Sequence, residues 1–196
     1  MSEVTLINPL TSRKWRLPPL GLLYLASCLE KNGVSVQVLD PLSQGYENYA
    51  SESPYTGINC LSGQFKKALE IAKQVKAKNP ATITVVGGVH PTVAVEEAKA
   101  DPNIDIVVVG EGEKALLRIV KDRIGKGVVY GEPFENLDEI PVPARHLVNM
   151  KWYMRRGGIV FPKWLRATSV ITSRGCPNSQ VAAEAEWLPE PRSAPR

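Results

Sequence analysis

Along the first 130 residues, short runs of branched apolar side chains alternate with stretches whose apolar positions recur every three or four residues. The first pattern predicts strands and the second predicts helices. Strands are expected at Val4 to Ile7, Val34 to Leu39, Gly57 to Leu61, Ile83 to Val86 and Ile104 to Val109. Val34 to Leu39 alternates cleanly, whereas Ile104 to Val109 is nearly all aliphatic, as suits a strand buried on both faces. A helix is expected at Leu20 to Lys31, with Leu22, Leu23, Leu25, Ala26 and Leu29 at helical spacing. Asn32-Gly33 should end it, because Gly33 can adopt the left-handed cap conformation. A second helix is expected at Gln64 to Lys78, where Phe65, Ala68, Leu69, Ala72 and Val75 form one apolar stripe. Shorter helices are expected at Thr92 to Ala100 and Glu113 to Ile124. Asp40 to Tyr55, with Pro41, Gly45 and Pro54, reads equally as a loop or as a poorly formed crossover helix, and Val128 to Tyr130 as a last edge strand.

Strand starts at 4, 34, 57, 83 and 104 are spaced by about one strand–helix unit each. Right-handed crossovers then give a parallel sheet covered by helices on both faces. The expected fold is therefore α/β and doubly wound, a flavodoxin-like or Rossmann-like domain with a parallel five-stranded sheet and an irregular C-terminal extension. Ligands of such sheets bind outside the C-terminal ends of the strands, so the residues just after each strand carry the information. Past residue 130 the pattern changes. Glu132 to Asn149, with Pro133, Pro141 and Pro143, reads as an extended connector, and Ala167 to Thr172 as one more strand. Residues 180–196 have no periodicity and are expected to be disordered.

Composition narrows the class. Apolar residues make up 43% and charged residues 22% of the 196, an ordinary globular balance. No apolar run approaches the ~20 residues of a membrane span, and the N-terminus lacks a secretion signal. Cys28, Cys60 and Cys176 form no disulfide framework, so a cytoplasmic protein is expected. The net charge of +4 is supplied by one segment, 151–166, which carries Lys151, Arg155, Arg156, Lys163 and Arg166 and no acid. Without those five the chain stands at −1, which leaves no field for general polyanion binding. Trp152, Tyr153, Phe161 and Trp164 in the same segment could stack on RNA bases. Gly157-Gly158 and Pro162 favour a connector that lays its rings on a neighbour, so RNA is not an expected partner.

Four strand ends carry candidate chemistry. The first, Asn8-Pro9-Leu10-Thr11-Ser12-Arg13-Lys14, matches neither the dinucleotide G-x-G-x-x-G pattern nor a phosphate-binding P-loop. The third strand leads into Ser62-Gly63, either a helix N-cap or a set of N–H donors for an acceptor. The fourth leads into Gly87-Gly88-Val89-His90, where paired glycines admit another backbone or a flat ligand. The fifth leads into Gly110-Glu111-Gly112-Glu113, either a turn feeding a helix or a rim contact to a ligand. With His90 and His146 the only histidines, a protein-only zinc or iron site is not expected.

Three blocks together resemble the cobalamin-binding radical SAM enzymes. They are Pro18-Pro19-Leu20-Gly21-Leu22-Leu23-Tyr24-Leu25-Ala26, then Val85-Val86-Gly87-Gly88-Val89-His90-Pro91-Thr92 with Val109-Gly110-Glu111-Gly112-Glu113, and then Leu137 to Ala144 ending in Thr172-Ser173-Arg174-Gly175-Cys176-Pro177. The resemblance covers residues 1 to about 178. It implies a cobalamin-binding Rossmann-like domain over 1–130, a linker over 131–166 and the start of a radical SAM domain over 167–196. In that family the corrin lies across the strand ends and its nucleotide tail enters a cleft beside the glycine pair. Carried over by position, Ser62, Gly63, Gly87, Gly88, Val89, His90, Gly110 and Glu111 would line the cofactor. Relatives of the family ligate cobalt through a histidine in a D-x-H-x-x-G motif after the first strand, and here that loop has none.

The resemblance also implies a C-x-x-x-C-x-x-C motif holding a 4Fe-4S cluster whose open iron chelates S-adenosylmethionine. Cys176 fills the first position as a metal ligand, but Gln180 and Ala183 stand at the other two. The cluster and S-adenosylmethionine are therefore expected only in an intact relative, as is a small-molecule substrate. The change of composition after Ser179 is what a truncation, a reading-frame change or an engineered end would each produce. The expected function is a cobalamin-binding module of a methyltransferase-type radical SAM enzyme. The other reading is a flavodoxin-like flavin- or nucleotide-binding domain without catalysis.

Overall fold

The computed structural model describes residues 2–9, 17–44, 49, 51–154 and 168–174. Six parallel strands form one sheet: β1 (Val4–Ile7), β2 (Val36–Leu39), β3 (Tyr55–Asn59), β4 (Ile83–Gly87), β5 (Ile106–Val109) and β6 (Gly127–Tyr130). Their order is β2-β1-β3-β4-β5-β6, so the chain reverses direction across the sheet between β1 and β3. The sheet has one strand more than the five expected. Val107–Val109 pair with Val128–Tyr130, and Val129 is buried. Three apolar residues are a faint signal alone; the neighbouring β5 edge makes them a strand.

Two helical layers cover the sheet. On one face lie α1 (Leu20–Lys31) and α6 (Gly112–Lys121), whose Leu22, Leu23, Ala26, Leu29, Ala115, Leu116 and Ile119 share a core with Val4, Leu6, Val85, Ile106 and Val108. On the other face α3 (Phe65–Lys78) buries Phe65, Ala68, Ile71, Ala72 and Val75 against Ile7, Ile58, Val86 and Val107. α1 has the bounds its periodicity predicts, with Gly33 left-handed after it (φ 78°). The polar stretch after β2 forms only the one-turn α2 (Pro41–Gln44). The helix expected at Thr92 to Ala100 is two, α4 (Val89–Val93) and α5 (Val95–Lys99), broken at Ala94. β3 lies two residues earlier than expected, because Tyr55 and Thr56 pair with both β1 and β4.

The proline-rich stretch after β6 is not extended over its whole length: it turns through short 3-10 helices at Leu137–Glu139 and Arg145–Leu147, and it is bound to α1. Ala144 N–H donates to the Leu23 carbonyl of α1 at 3.0 Å, and Lys31 Nζ donates to the Glu139 carbonyl at 3.2 Å. Ala144 and Val148 join the α1–α6 core. The stretch ends in α7 (Met150–Met154), which carries Tyr153 into the interior. There Tyr153 Oη donates to Asp40 Oδ2 at 2.5 Å, Ser43 Oγ donates to the same oxygen at 2.6 Å, and Asn8 Nδ2 donates to Oδ1 at 3.1 Å. Asp40 is fully buried, so these donors replace the water it loses. Burial, followed by the Asp40 charge, pushes the Tyr153 phenol far above its ordinary range, so it stays a donor. Of the basic aromatic segment, Trp152 is half-buried with its ring edge-on to Tyr153; residues 155–166 lie outside the described residues.

The strand expected at Ala167 to Thr172 does not form. Residues 168–174 run without sheet pairing, and Arg145 takes their polar groups instead, through Thr168 Oγ1 at 3.0 Å and the Ser169 carbonyl at 2.7 Å. Cys176 and the tail 180–196 lie outside the described residues. Among the described residues no helix is long and apolar enough to cross a membrane.

The buried Asp40 contact yields a test. Tyr153→Phe keeps the ring and removes one hydrogen bond to a buried carboxylate, so unfolding free energy from urea titration should fall by about 1.5–3 kcal/mol.

Candidate functional site

A cavity of about 570 Å³ lies between the sheet and the α1–α6 layer and opens at the C-terminal ends of the central strands. Its sheet wall is Leu6, Gly57, Val85 and Val108, and its helical wall is Leu22, Leu25 and Leu116. Leu6, Gly57 and Val85 stand side by side in register on β1, β3 and β4. Gly57 leaves the middle of this row bare: a Cβ there would meet Leu6 Cδ2 at 2.9 Å. Gly112 does the same opposite, where a Cβ would meet Leu25 Cδ2 at 2.9 Å. Gly57 and Gly112 thus line the cavity with no side chain of their own, while Leu6 and Leu25 lean over them and leave no room for a larger residue.

The mouth is made by the loops after β3, β4 and β5. Gly88 has φ 118°, and a Cβ on it would lie 2.8 Å from the Cys60 carbonyl oxygen. Only glycine fits both constraints. The close approach lets Cys60 N–H bond the Gly87 carbonyl at 2.8 Å and His90 N–H bond the Cys60 carbonyl at 3.1 Å, which joins the first two loops. Thr92 joins the other two: its hydroxyl donates to the Gly88 carbonyl at 2.8 Å and accepts from Gly110 N–H at 3.0 Å. The Gly110–Gly112 loop is backed by Gly131, where a Cβ would overlap the Glu111 carbonyl at 1.7 Å. The rim also bears charge. Arg174 Nη1 lies 2.5 Å from Glu111 Oε2 and 2.8 Å from Glu113 Oε1.

Of the residues singled out from sequence, Gly87, Gly88, Val89, Gly110 and Glu111 line this cavity and Ser62, Gly63 and His90 do not. Ser62 and Gly63 are exposed in a one-turn 3-10 helix (Ser62–Gln64) that leads into α3, toward the opposite face of the sheet. Ser62 is no cap either; Gln64 Oε1 accepts Leu61 N–H at 3.2 Å in that place. His90 is turned beneath its loop, its ring 4.2 Å from that of Phe65 on the α3 side. Its Nε2 is 3.5 Å from Glu97 Oε2 without hydrogen-bond geometry.

The cavity also takes Glu113, from the turn read as a possible rim, and Asn59, Thr92, Ile171 and Arg174, which the sequence reading did not assign to it. Asn59 and Thr92 follow the strands closely enough that strand-end position could have flagged them. Ile171 and Arg174 come from a distant stretch, and no local signal marks them. Burial pushes the Cys60 thiol up to about 11, with Glu97 adding to it, and raises that of Cys28. Both are therefore protonated thiols at neutral pH. Among the described residues no three His, Cys, Asp or Glu side chains converge on a metal position.

Residues 10–120 match the family described as the B12 binding domain. The chain belongs to that family. It is 33% identical over 186 residues to an uncharacterized methyltransferase of Pyrococcus horikoshii, an alignment covering 82% of this chain and 39% of the relative. It is 27% identical to the cytidylyl-2-hydroxyethylphosphonate methyltransferase of Streptomyces wedmorensis, over 89% of this chain and 46% of the relative. The chain thus spans less than half the length of these curated relatives. Among solved structures, its fold is similar to the cobalamin-dependent S-adenosylmethionine radical enzyme OxsB with aqua-cobalamin bound. The TM-score is 0.59 and the identity 22%, over 74% of this chain and 24% of that one. It is also similar to the radical S-adenosylmethionine methyltransferase TsrM of Kitasatospora setae with cobalamin and a [4Fe-4S] cluster bound, with TM-score 0.51, identity 21%, and 72% and 27% covered. The family match favours the cobalamin reading over the flavin or nucleotide alternative.

The packing of the Gly110–Gly112 loop on Gly131 gives a prediction. Gly131→Ala must push the Glu111 carbonyl out of place, and thermal or urea unfolding should report a loss of about 1–3 kcal/mol.

Proposed function

We propose that this B12-binding chain is the corrin-holding module of a radical SAM enzyme of the methyltransferase type, and that it lacks a complete cluster motif of its own. The observation that carries the reading is the glycine-opened cavity at the reversal point of the parallel sheet. Its volume of about 570 Å³ lies within the range of small-molecule sites. The fit to the cofactor rests on the chemistry of the walls. Leu6, Leu22, Leu25, Val85, Val108 and Leu116 give an apolar slot suited to the flat base of the nucleotide tail, and among the described residues no aromatic side chain lines it. At Gly57 and Gly112 the wall carries no side chain, so a larger residue there would intrude where the tail would lie. Outside it, the Gly87-Gly88-Val89 and Gly110-Glu111 loops, with the exposed Val89 side chain, form a rim on which a corrin ring can rest.

Bound methylcobalamin would supply a methyl group for transfer to an unreactive carbon once a radical partner is present. This chain's own residues bind and shield. The apolar walls exclude water from the tail, Asn59 and Thr92 offer polar contacts at the mouth, and the paired loops hold the rim at a fixed spacing. Ser62, Gly63 and His90 have no assigned contact in this reading. No histidine side chain lines the cavity among the described residues, so cobalt would receive no imidazole there. Cys176, alone in its motif, would not hold an Fe–S cube, which needs thiolates on its irons.

Two measurements test the reading. Protein mixed with hydroxocobalamin should elute from gel filtration with the visible absorbance of the corrin, and Gly57→Phe, which fills the slot, should elute colourless; a colourless wild type sinks the proposal. Anaerobic reconstitution with iron and sulfide should yield no stable 4Fe-4S absorbance, and a stoichiometric cluster would overturn the account of Cys176.

A further inference from the structure

The stretch 168–174 crosses the mouth of the cavity with an arginine contact at each end. Arg145, from the segment bound along α1, holds Thr168 and Ser169 through both guanidinium nitrogens. At the other end Arg174 holds on through its own side chain. Its guanidinium sits between Glu111, just before α6, and Glu113 in the first turn of α6. It also lies over the Tyr24 ring of α1, 5.0 Å from the centroid. Arg174 thus spans the two helices that bound the cavity, while Ile171 and Arg174 themselves contribute to its lining.

This is no ordinary surface ion pair. The Arg174 side chain is 18% exposed and that of Glu113 only 6%. Withdrawing the arginine would leave Glu113 nearly buried and without an ion-pair partner among the described residues, next to a second carboxylate. Burial works against the charge on Arg174, but Glu113 and then Glu111 outweigh it and raise its pKa. Arg174 therefore keeps its positive charge.

We infer that Arg174 is a positioning residue whose clasp by Glu111 and Glu113 holds the stretch leading to Cys176 over the ligand in the cavity and retards that ligand's exit. The inference rests on the corrin reading given above. A ligand beneath Ile171 and Arg174 is held by this strap, and lifting it breaks two charge-assisted hydrogen bonds and a cation–π contact at once. Loss of the clasp should show mainly in the dissociation rate.

The experiment uses the whole chain loaded with hydroxocobalamin, freed of excess, and followed by the corrin absorbance that remains with the protein over time. Arg174→Ala should release corrin about tenfold faster or more. Glu111→Gln with Glu113→Gln should do the same, the triple variant should be no faster than either, and Arg174→Lys should recover part of the retention. Melting by circular dichroism identifies variants that have kept the fold. A second arm needs no ligand. Trypsin must take the Arg174 side chain into its own pocket to cut the 174–175 bond, so the double carboxylate variant should be cut there about fivefold faster than wild type. Equal release from wild type and Arg174→Ala overturns the inference, as does faster uptake with unchanged release, which would make the strap a barrier and not a retainer. If wild type binds no hydroxocobalamin, the corrin reading fails and ligand retention with it, and the trypsin arm alone then decides whether the clasp exists. If wild type binds and trypsin cuts both forms equally, the clasp is refuted while the corrin reading stands.

Discussion

Close packing would ordinarily erase a space like the one between this sheet and the α1–α6 layer, since interiors leave few voids larger than water. Here the row Leu6, Gly57, Val85 lacks its middle side chain, and Gly112 removes another from the facing wall. The surrounding leucines and valines still bury enough area to hold the layers together. The site depends on that balance. More side chain would close the slot, and less would let α1 and α6 settle onto the strands.

The rest of the site is arranged around the mouth of this slot. Gly88 permits the loops after β3 and β4 to bond each other, and Thr92 carries the connection to the loop after β5. Gly131, from the start of the following segment, lies directly behind Glu111. The mouth is therefore rigid on the sheet side. On the outer side lies an irregular stretch held by two arginines, through hydrogen bonds from Arg145 and a largely buried ion pair of Arg174. A fixed floor beneath a detachable strap is a physical form suited to holding a large, flat ligand.

The segment after β6 shows how composition can mislead. Prolines predict extension, and extension suggests a tether. Its backbone nonetheless bonds α1, and its end delivers Tyr153 to a buried carboxylate. Asp40 would be a costly group to bury alone, and its donors come from three separate parts of the chain. The described structure thus continues as one packed unit well past the last strand.

The sequence by itself determined the strand and helix alternation, the parallel doubly wound sheet and the glycine turns after β4 and β5. Those features rest on local periodicity and on backbone needs that a residue carries wherever it sits. It also determined that Cys176 stands alone in its motif, which is a matter of spacing. Tertiary structure decided the rest. Val128–Tyr130, an edge strand in sequence, pairs with β5, and the His90 ring packs on Phe65 and does not line the cavity. Ser62 and Gly63 left it because the turn they form leads to the opposite face. Gly57 looked like an ordinary strand residue until Leu6 and Val85 stood on either side of it, and Arg174 meets Glu113, 61 positions earlier in the chain, only in the folded protein. Such relations belong to pairs of residues far apart in the chain, and no window along the sequence contains both partners.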